Sequence, residues 1–401
     1  MGTAQKNLDR YVTPAAWADG LSSEGILHFV DGKNADEGLL RTPRAVVFWN
    51  GESPIGLNIA NSFEDCASLT LPISPSSPEC RPAGSATRFT KPSSVSLVIC
   101  TRDRPRELAR CLASLAKQTY APDQIVVVDN ASLAKDTEKV CQEADVIYVH
   151  EPRPGLDAAR NAGARASTSE IVAYTDDDVV LHPRWLERLV EGFDAPEIWA
   201  VTGLVLPAEL ATPAQWHFER FWGFGRGFQR TDFGSTFLQS NEWLGCPVWL
   251  IGAGASMAFR RTVFDRVGFF DERLDAGAAG CSGDSEFWHR ILCAGGTCRY
   301  EPSVILFHYH RREWAELRNQ IRAYMRGHSA ALLVQYEQSG RKGNLRRLFI
   351  YFPGYYLGRI VKLFVFGGDA SSLFLREEIA GILSGIWFYL RTPRSRGTAT
   401  A

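Results

Sequence analysis

From Val95 onward the sequence alternates short apolar runs with segments of helical periodicity, and this alternation constrains the fold most strongly. The apolar runs are VSLVIC (95–100), IVVVD (125–129), DVIYVH (145–150) and IVAYT (171–175). Continuous apolar runs of this length are typical of strands that are buried on both faces of a sheet. Strands joined through helices form right-handed crossovers, so the pattern predicts an α/β fold with helices flanking a mostly parallel sheet.

Residues 1–75 are predicted to form a small β-rich domain. The segment RAVVFWNGESPIGLNIA (44–60) has two apolar stretches on either side of Asn50-Gly51, a dipeptide that favours a β-hairpin turn. Residues 76–94 are rich in Pro, Ser and Gly, which is the composition of a linker. Helices are predicted for the C-terminal region, 315–401.

Composition excludes several classes of protein. With 45% hydrophobic and 22% charged residues, the chain can bury a core of ordinary size. A net charge of −1 argues against a nucleic-acid partner bound through phosphate contacts. The nine cysteines are odd in number and form no CxxC pair, so neither a zinc knuckle nor a disulfide framework is predicted. Free thiols, and an N-terminus without a signal-peptide pattern, favour a cytoplasmic location.

Polar residues follow three of the predicted strands at the point where each strand ends. They are Thr101-Arg102-Asp103, Asp129-Asn130 and Asp176-Asp177-Asp178. The carboxyl ends of parallel strands meet at one edge of a sheet, where ligands bind. Three adjacent aspartates repel one another, and a bound Mn²⁺ or Mg²⁺ would remove that repulsion. A solvated helix N-terminus also favours aspartate, and the residues alone leave both interpretations open.

The segment PRPGLDAARNAGARA (152–166) combines small residues with Arg160 and Asn161. Small residues allow close backbone approach, and the two polar side chains could donate hydrogen bonds to a nucleotide or a diphosphate. An alanine-rich packing helix is the alternative, although it does not explain the Arg-Asn pair.

Several motifs together resemble the family 2 inverting glycosyltransferases of the GT-A type. The first four are VSLVICTRDRP, IVVVDNAS, GLDAARNAG and YTDDDVV, and the resemblance continues through GAGASMAFRR, GFFDERL, GDSEFWHRIL and YEPSVILFHYHR. It implies a Rossmann-like GT-A domain with a nucleotide-sugar-binding half at 95–206 and an acceptor-binding, catalytic half at 207–314. It also implies an enzyme that moves a sugar from a nucleotide diphosphate to a hydroxyl acceptor with a divalent metal, Mn²⁺ or Mg²⁺. UDP is a common nucleotide in this family, and TDP and GDP donors also occur.

The resemblance assigns roles to the strand-end residues. Asp176 and Asp178 would be the metal-binding DXD pair, with Asp178 the more direct ligand. Asp103 and Asp129 would contact the base and the ribose, and Arg160 and Asn161 would line the nucleotide side. The remaining predicted contacts to the nucleotide sugar are Thr101, Arg102 and Asp177.

Asp284 is the general base that the resemblance implies. The family usually has Glu-Asp at this motif, and this chain has Gly283-Asp284. An in-line displacement at the anomeric carbon needs a carboxylate to take the acceptor's proton. An N-terminal cap of the following helix is the alternative, and one aspartate can serve both purposes. The predicted acceptor contacts are Gly254, Trp249 and Glu286, although core packing explains the aromatic residues of 207–250 equally well.

His308 and His310 alternate around Tyr309 after the apolar run VILF, so one faces the crevice and the other faces away. The resemblance suggests a histidine that completes the metal shell, and imidazole suits Mn²⁺. We predict His308 for this role, and a structural histidine in the core is the alternative.

Two C-terminal segments mix aromatic and aliphatic residues with Arg and Lys: 345–366 and 379–396. Pro353, Gly354 and the charges nearby interrupt the first segment, so a membrane-spanning helix is not predicted. Peripheral contact with an anionic membrane surface on the inner face of the cell membrane is one interpretation. Helices packed on the catalytic domain, or an interface of a homo-oligomer, are the others.

Two further functions stay open. A sugar nucleotidyltransferase usually has a glycine-rich loop after its first strand, and TRDRPREL has no glycine. A non-catalytic nucleotide-sugar-binding protein is compatible with Gly283, although Asp176, Asp178 and Asp284 are all present.

Overall fold

The structure is a computed structural model that describes residues 24, 26–30, 44–50, 53–63 and 94–392. Its strands are β1 (Ile26–Val30), β2 (Ala45–Asn50), β3 (Ser53–Ile59), β4 (Val95–Thr101), β5 (Gln124–Asn130), β6 (Ile147–Glu151), β7 (Ile171–Asp176), β8 (Val179–Leu181), β9 (Ile198–Pro207), β10 (Thr231–Phe233), β11 (Ser256–Arg260) and β12 (Thr297–His308). Within these ranges, β4 to β12 form one mixed sheet in the order β10-β12-β9-β11-β7-β4-β5-β6, with β8 paired to β12.

Helices cover this sheet and extend it at the C-terminus. They are α1 (Pro105–Leu115), α2 (Asp136–Glu143), α3 (Leu156–Ala166), α4 (Trp185–Glu191), α5 (Pro213–Trp222), α6 (Ser235–Ser240), α7 (Thr262–Val267), α8 (Gly283–Cys293), α9 (Trp314–Ser339), α10 (Gly343–Phe366) and α11 (Leu375–Arg391). The predicted α/β fold with C-terminal helices is confirmed.

The half of the sheet around β4 is parallel. Strand β4 is buried along its whole length and pairs in parallel with β5 on one side and β7 on the other. The register sets Thr101 opposite Asp129 and Cys100 opposite Asp176. The carboxyl ends of three strands therefore lie side by side, as the sequence predicts.

The other half of the sheet is mixed. Strand β11 runs antiparallel to both β7 and β9, and β9 runs parallel to β12. Strand β8 starts one residue after Asp178 and pairs antiparallel with the end of β12, which sets Val179 opposite His308. This pairing brings the end of β12 to the acidic turn.

The N-terminal strands form a separate three-stranded sheet. Strands β2 and β3 are antiparallel, as predicted for a hairpin, and β1 adds in parallel to β2. The hairpin contacts the large domain, where the Trp216 indole donates to the backbone oxygen of Ala60 at 3.1 Å and Trp49 stacks on His182. The predicted linker lies outside the described residues except for residue 94, so the domain boundaries stay predictions.

Helix α10 passes through Pro353 without a break. A π-helical turn at Arg347–Tyr351 precedes the proline, and helical geometry continues from Phe352 to Phe366. A wider turn accommodates the proline ring and its missing N–H, so the expected interruption is wrong. Within the described part of the chain, Gly343–Phe366 is the one helix that is long and apolar enough to cross a membrane, by length and composition alone.

Candidate active site

The turn between β7 and β8 and the end of β12 form a cluster of three candidate metal ligands. Asp176, Asp178 and His308 each offer one ligand atom, and these atoms all lie within 4.8 Å of one another. His308 Nε2 is 3.3 Å from Asp178 Oδ1. The backbone N–H of Tyr309 donates to the Asp178 carbonyl at 3.0 Å, which fixes the turn against β12. Of the two candidate histidines, His308 is the one beside Asp178.

Electrostatics at this turn favour a bound cation. Burial, followed by the Asp178 charge, raises the pKa of Asp176 to about 6. Burial also acts to raise the pKa of Asp178, but His308 and Arg104 outweigh it and hold that pKa well below its usual range. Two carboxylate oxygens and an imidazole nitrogen are donors that suit Mn²⁺ or Mg²⁺. The residues at the turn therefore fit a divalent ion.

Asp177, between the two candidate ligands, is buried and hydrogen-bonded within the protein. Its Oδ2 accepts a 2.7 Å hydrogen bond from Thr101 Oγ1, and its Oδ1 accepts from Arg104 at 3.1 Å. Burial, followed by the Asp178 charge, raises the pKa of Asp177 to about 7. Thr101 and Asp177 are predicted contacts of the nucleotide sugar. In this structure the hydrogen bond between them joins the turn to β4.

Arg104 was missed by the sequence reasoning, which stopped at Asp103. Its Nη1 also lies 3.0 Å from Asp178 Oδ2, so one guanidinium bridges two aspartates of the turn. The Arg104 side chain is 29% exposed, so part of its positive charge is accessible to solvent. A basic residue directly before Pro105 and next to the predicted strand-end set was the available signal.

Asp103 and Asp129 lie at the carboxyl ends of β4 and β5. Asp103 has a positive φ of 53°, and its Oδ1 accepts from the Leu133 N–H at 2.8 Å. Asp129 is buried, and its Oδ2 accepts from the Tyr148 hydroxyl at 2.9 Å. Asp129 Oδ1 is buried with no hydrogen-bond partner among the residues described. Arg102 is half exposed, 3.8 Å from Asp103.

Arg160 and Asn161 are both bound within the protein. Both side chains are buried, and Asn161 exchanges hydrogen bonds with the backbone N–H and C=O of Phe270 at 2.9 and 3.0 Å. Because its amide is fully used inside the protein, Asn161 does not line the nucleotide side. Arg160 is held by Asp157 at 2.9 Å and Asp275 at 2.7 Å, two carboxylates that the sequence reasoning did not select.

Arg160 lies next to Asp284 and Gly254. A methyl group built on Gly254 would lie 2.7 Å from Arg160 Nη2 and 3.0 Å from Asp284 Oδ2, so both groups crowd this backbone. The Arg160 charge acts to lower the pKa values of both Asp176 and Asp284. The acidic turn and the predicted base therefore lie on the same side of the sheet, around one guanidinium.

Asp284 is the second residue of α8, and its Oδ1 accepts a 2.6 Å hydrogen bond from the Ser285 N–H. Burial, followed by the Asp275 charge, raises the pKa of Asp284, and Arg160 opposes them. A carboxyl whose pKa is raised towards neutrality is a more effective proton acceptor when ionised. The N-cap of α8 is Ser282 and Asp284 lies inside the helix, so the alternative that Asp284 caps the helix is wrong.

Gly283 makes room for Asp157. A methyl group on Gly283 would lie 1.9 Å from Asp157 Oδ2 and 2.5 Å from its Cγ, both far inside contact distance. Asp157 is fully buried, and its Oδ2 has no hydrogen-bond partner in the described part of the chain. The departure from the Glu-Asp motif thus has a steric reason.

Of the predicted acceptor contacts, Glu286 is also a correction. It is 0% exposed, and its two oxygens bind Arg290 at 2.6 and 2.7 Å, so it cannot reach an acceptor. Trp249 is half-buried under the Arg347 guanidinium, 4.9 Å away. Its carbonyl accepts from the half-buried Arg226 at 2.8 Å.

Comparison with known proteins shows what this domain is similar to. Residues 96–268 match the family model for Glycosyl transferase family 2. A glucosyl-dolichyl phosphate glucuronosyltransferase of Haloferax volcanii is 27% identical over 185 residues, 44% of this chain and 56% of that protein. The succinoglycan biosynthesis protein ExoM of Rhizobium meliloti is 29% identical over 225 residues, 52% of this chain and 65% of that protein.

A third relative aligns over more of the chain. The pre-mycofactocin glycosyltransferase of Mycobacterium tuberculosis is 27% identical over 282 residues, 68% of this chain and 55% of that protein. The chain spans between about half and two thirds of the length of these three relatives. A solved mannosyltransferase from Pyrobaculum calidifontis, in complex with GDP-Man and Mn²⁺, has a TM-score of 0.49 and 16% identity, covering 74% of this chain and 88% of that one. That likeness is too distant to support an inference about ligands.

Proposed function

We propose that this chain is a family 2 glycosyltransferase that moves a sugar from a nucleotide diphosphate to a hydroxyl acceptor with inversion, since residues 96–268 match the family model. The observation that carries the proposal is the placement of Asp176, Asp178 and His308 on the same side as Asp284. Sugar transfer needs a cation and a base that act on one bond, and these residues supply a candidate for each.

Each group has a distinct task in this proposal. Asp176, Asp178 and His308 would hold Mn²⁺ or Mg²⁺, which when bound stabilises the charge of the departing diphosphate. Arg104 adds a fixed positive charge beside the same oxygens. Asp284 takes the proton from the acceptor hydroxyl as the new bond forms.

The donor is proposed to be a UDP-sugar whose nucleoside lies at the ends of β4 and β5. The buried Asp129 Oδ1 lacks a hydrogen-bond donor, and an unpaired buried acceptor is costly unless a ligand supplies one. A ribose hydroxyl or a base N–H would satisfy it. Asp103, exposed beside it, would contribute the second carboxylate.

Release of nucleoside diphosphate from a panel of nucleotide sugars with Mn²⁺ tests the proposal. We expect turnover with at least one donor, and loss of that turnover in Asp178→Ala. The matched control is Asp136→Ala, since that aspartate is exposed on α2 and pairs only with Lys139 among the residues described. Pyrophosphate release from a nucleoside triphosphate would instead indicate a nucleotidyltransferase, and donor binding without turnover a non-catalytic protein.

We propose further that an anionic membrane surface is a partner and that the acceptor is lipid-linked. Helices α10 and α11 expose large apolar side chains, here called the apolar C-terminal surface: Phe349, Ile350, Leu357, Phe364, Phe366, Leu383, Trp387 and Leu390. Lys362 is 63% exposed, and Arg391 lies over Trp387 at 3.8 Å, so cations border the apolar groups. Apolar groups bordered by cations suit the boundary of an anionic bilayer. One relative is named for action on glucosyl-dolichyl phosphate, a lipid-linked sugar.

Sedimentation with phosphatidylglycerol vesicles tests the membrane partner. Burying one phenylalanine contributes about 2 kcal/mol, so the double variant Phe364→Ser, Phe366→Ser should lose vesicle binding by well over tenfold. Leu133→Ser is the control, because Leu133 is 93% exposed in the loop after β5. If the double variant instead turns a dimer into a monomer and vesicles never bind, the surface is a homo-oligomer interface.

A further inference from the structure

A buried chain of four polar side chains leads away from the candidate metal ligands. Asp178 Oδ1 is 3.3 Å from His308 Nε2, and His308 Nδ1 is 3.2 Å from His310 Nδ1. His310 Nε2 is then 2.8 Å from Glu219 Oε2, on α5. Each ring nitrogen of the two histidines therefore has one polar neighbour.

Aromatic rings surround these four side chains. The Phe218 ring is centred 4.7 Å from that of His310, and the Phe224 ring 5.1 Å from that of His308. Glu219 is 7% exposed and His310 is 5% exposed. A carboxylate buried this deeply is unfavourable unless it has a hydrogen-bonding partner, and His310 is the partner the structure supplies.

The order of hydrogen-bond donors and acceptors along these four side chains follows from Glu219 at the far end. An ionised carboxylate only accepts hydrogen bonds, so the proton of a neutral His310 is on Nε2, facing Glu219. His310 Nδ1 then carries a lone pair and accepts from His308, which places the His308 proton on Nδ1. With a cation bound at Asp178, the remaining lone pair of His308, on Nε2, would be available to it. Without the cation, Nε2 lies 3.3 Å from the Asp178 carboxylate and carries a proton.

We propose that Glu219 and His310 are positioning residues that hold His308 in the tautomer and ring orientation required to bind the metal. The inference rests on the proposed metal site. Hydrogen bonds to the second nitrogen of a ligating histidine orient the ring and raise its basicity, and their loss typically weakens metal binding by about 10- to 100-fold. If Glu219 and His310 only joined α5 to the end of β12, replacing them would change the stability of the fold and leave metal affinity unchanged.

The test measures Mn²⁺ affinity of the full chain without donor, by the electron paramagnetic resonance signal of the free ion. Glu219→Ala removes the final acceptor, and His310→Phe keeps a ring against Phe218 but removes both nitrogens. We expect each to weaken Mn²⁺ binding by about 10-fold or more, and Glu219→Gln, which keeps one acceptor oxygen, to weaken it less. Glu209→Gln is the control, because Glu209 is a second buried carboxylate, which binds Gln215 and Arg312.

A second readout follows the tautomer directly. Nitrogen-15 spectra of histidine-labelled protein with Mg²⁺ distinguish Nδ1–H from Nε2–H, and His308→Asn assigns the signal. We expect the Nδ1–H form of His308 in the unmodified chain and in Glu209→Gln, and a mixture of forms in Glu219→Ala. A folded Glu219→Ala or His310→Phe that binds Mn²⁺ within twofold of the unmodified chain would overturn the proposal. Failure of the unmodified chain to bind Mn²⁺ would refute the metal site itself, and with it the role of the pair.

Discussion

Replacing Gly283 by alanine would place a methyl group inside the van der Waals envelope of Asp157. The new carbon would lie 1.9 Å from Oδ2, 2.5 Å from Cγ and 2.6 Å from Oδ1. Asp157 cannot simply rotate away, because it is fully buried and its Oδ1 is bound to Arg160 at 2.9 Å. Either α8 shifts, which moves Asp284, or the ion pair opens.

The expected cost follows from these two responses. Overpacking of a rigid interior destabilises by about 1–3 kcal/mol. Complete loss of a buried ion-pair partner would cost about 3–5 kcal/mol, and Arg160 keeps Asp275, so the loss here is partial. Alanine returns at most about 1 kcal/mol of helix propensity over glycine. We therefore expect Gly283→Ala to lower the free energy of unfolding by about 2 kcal/mol.

Urea unfolding and kcat are the two measurements. Gly354→Ala is the control, since nothing lies within 4 Å of a methyl group there, and it should be neutral or stabilising. An Asp157→Ala background removes the three atoms nearest to the methyl group added at position 283, so the same substitution should cost little there and the pair should couple by about 2 kcal/mol. The steric account is refuted if Gly283→Ala costs as much with Asp157 removed, or no more than Gly354→Ala.

Three further outcomes are expected around the same crevice. Asp284→Asn should lower kcat by about 100-fold or more and leave donor affinity in calorimetry nearly unchanged, because an amide cannot take the proton; a large loss of affinity would reassign Asp284 to binding. Arg160→Met removes a charge that lowers the pKa of Asp284, so the acid limb of the kcat/KM profile should move to higher pH; Arg160→Lys is the control, and coincident profiles would contradict this. Burial raises the pKa of Asp176 to about 6, so this carboxyl stabilises the metal-free fold below about pH 4, and that contribution is lost as the pH rises through 6. Since Mn²⁺ takes the ionised form, its effect on Tm should be larger at pH 7.5 than at pH 5.5, and equal shifts would argue against Asp176 as a ligand.

The strand ends were predictable because they depend on local pattern. A buried apolar run that stops at Asp176 places that carboxylate at the end of a strand, whatever the rest of the chain does. The prediction that His308 and His310 face opposite ways was wrong, because residues two apart in a strand share a face and the two Nδ1 atoms lie 3.2 Å apart. The pairing of β8 with β12 is what brings His308 to the turn.

The partners of polar side chains inside helices were not predictable in this way. Asn161 was selected for a ligand because it stands among alanines, yet it binds the backbone of Phe270. Glu286 follows Asp284 closely in sequence, but the helical turn points it inward to Arg290. Such partners depend on tertiary packing between segments far apart in the chain, for which a single sequence carries no local signal.

Asp157 and Gly283 are better understood together than as separate motif positions. Glycine at 283 was the one feature that favoured a protein without turnover, since an acidic residue is usual there in the family. The structure shows a buried carboxylate from α3 in the space that a side chain at 283 would need, in contact with Arg160. Asp157 therefore supplies a carboxylate beside Arg160 although residue 283 has no side chain. For this reason Gly283 does not count against catalysis by Asp284.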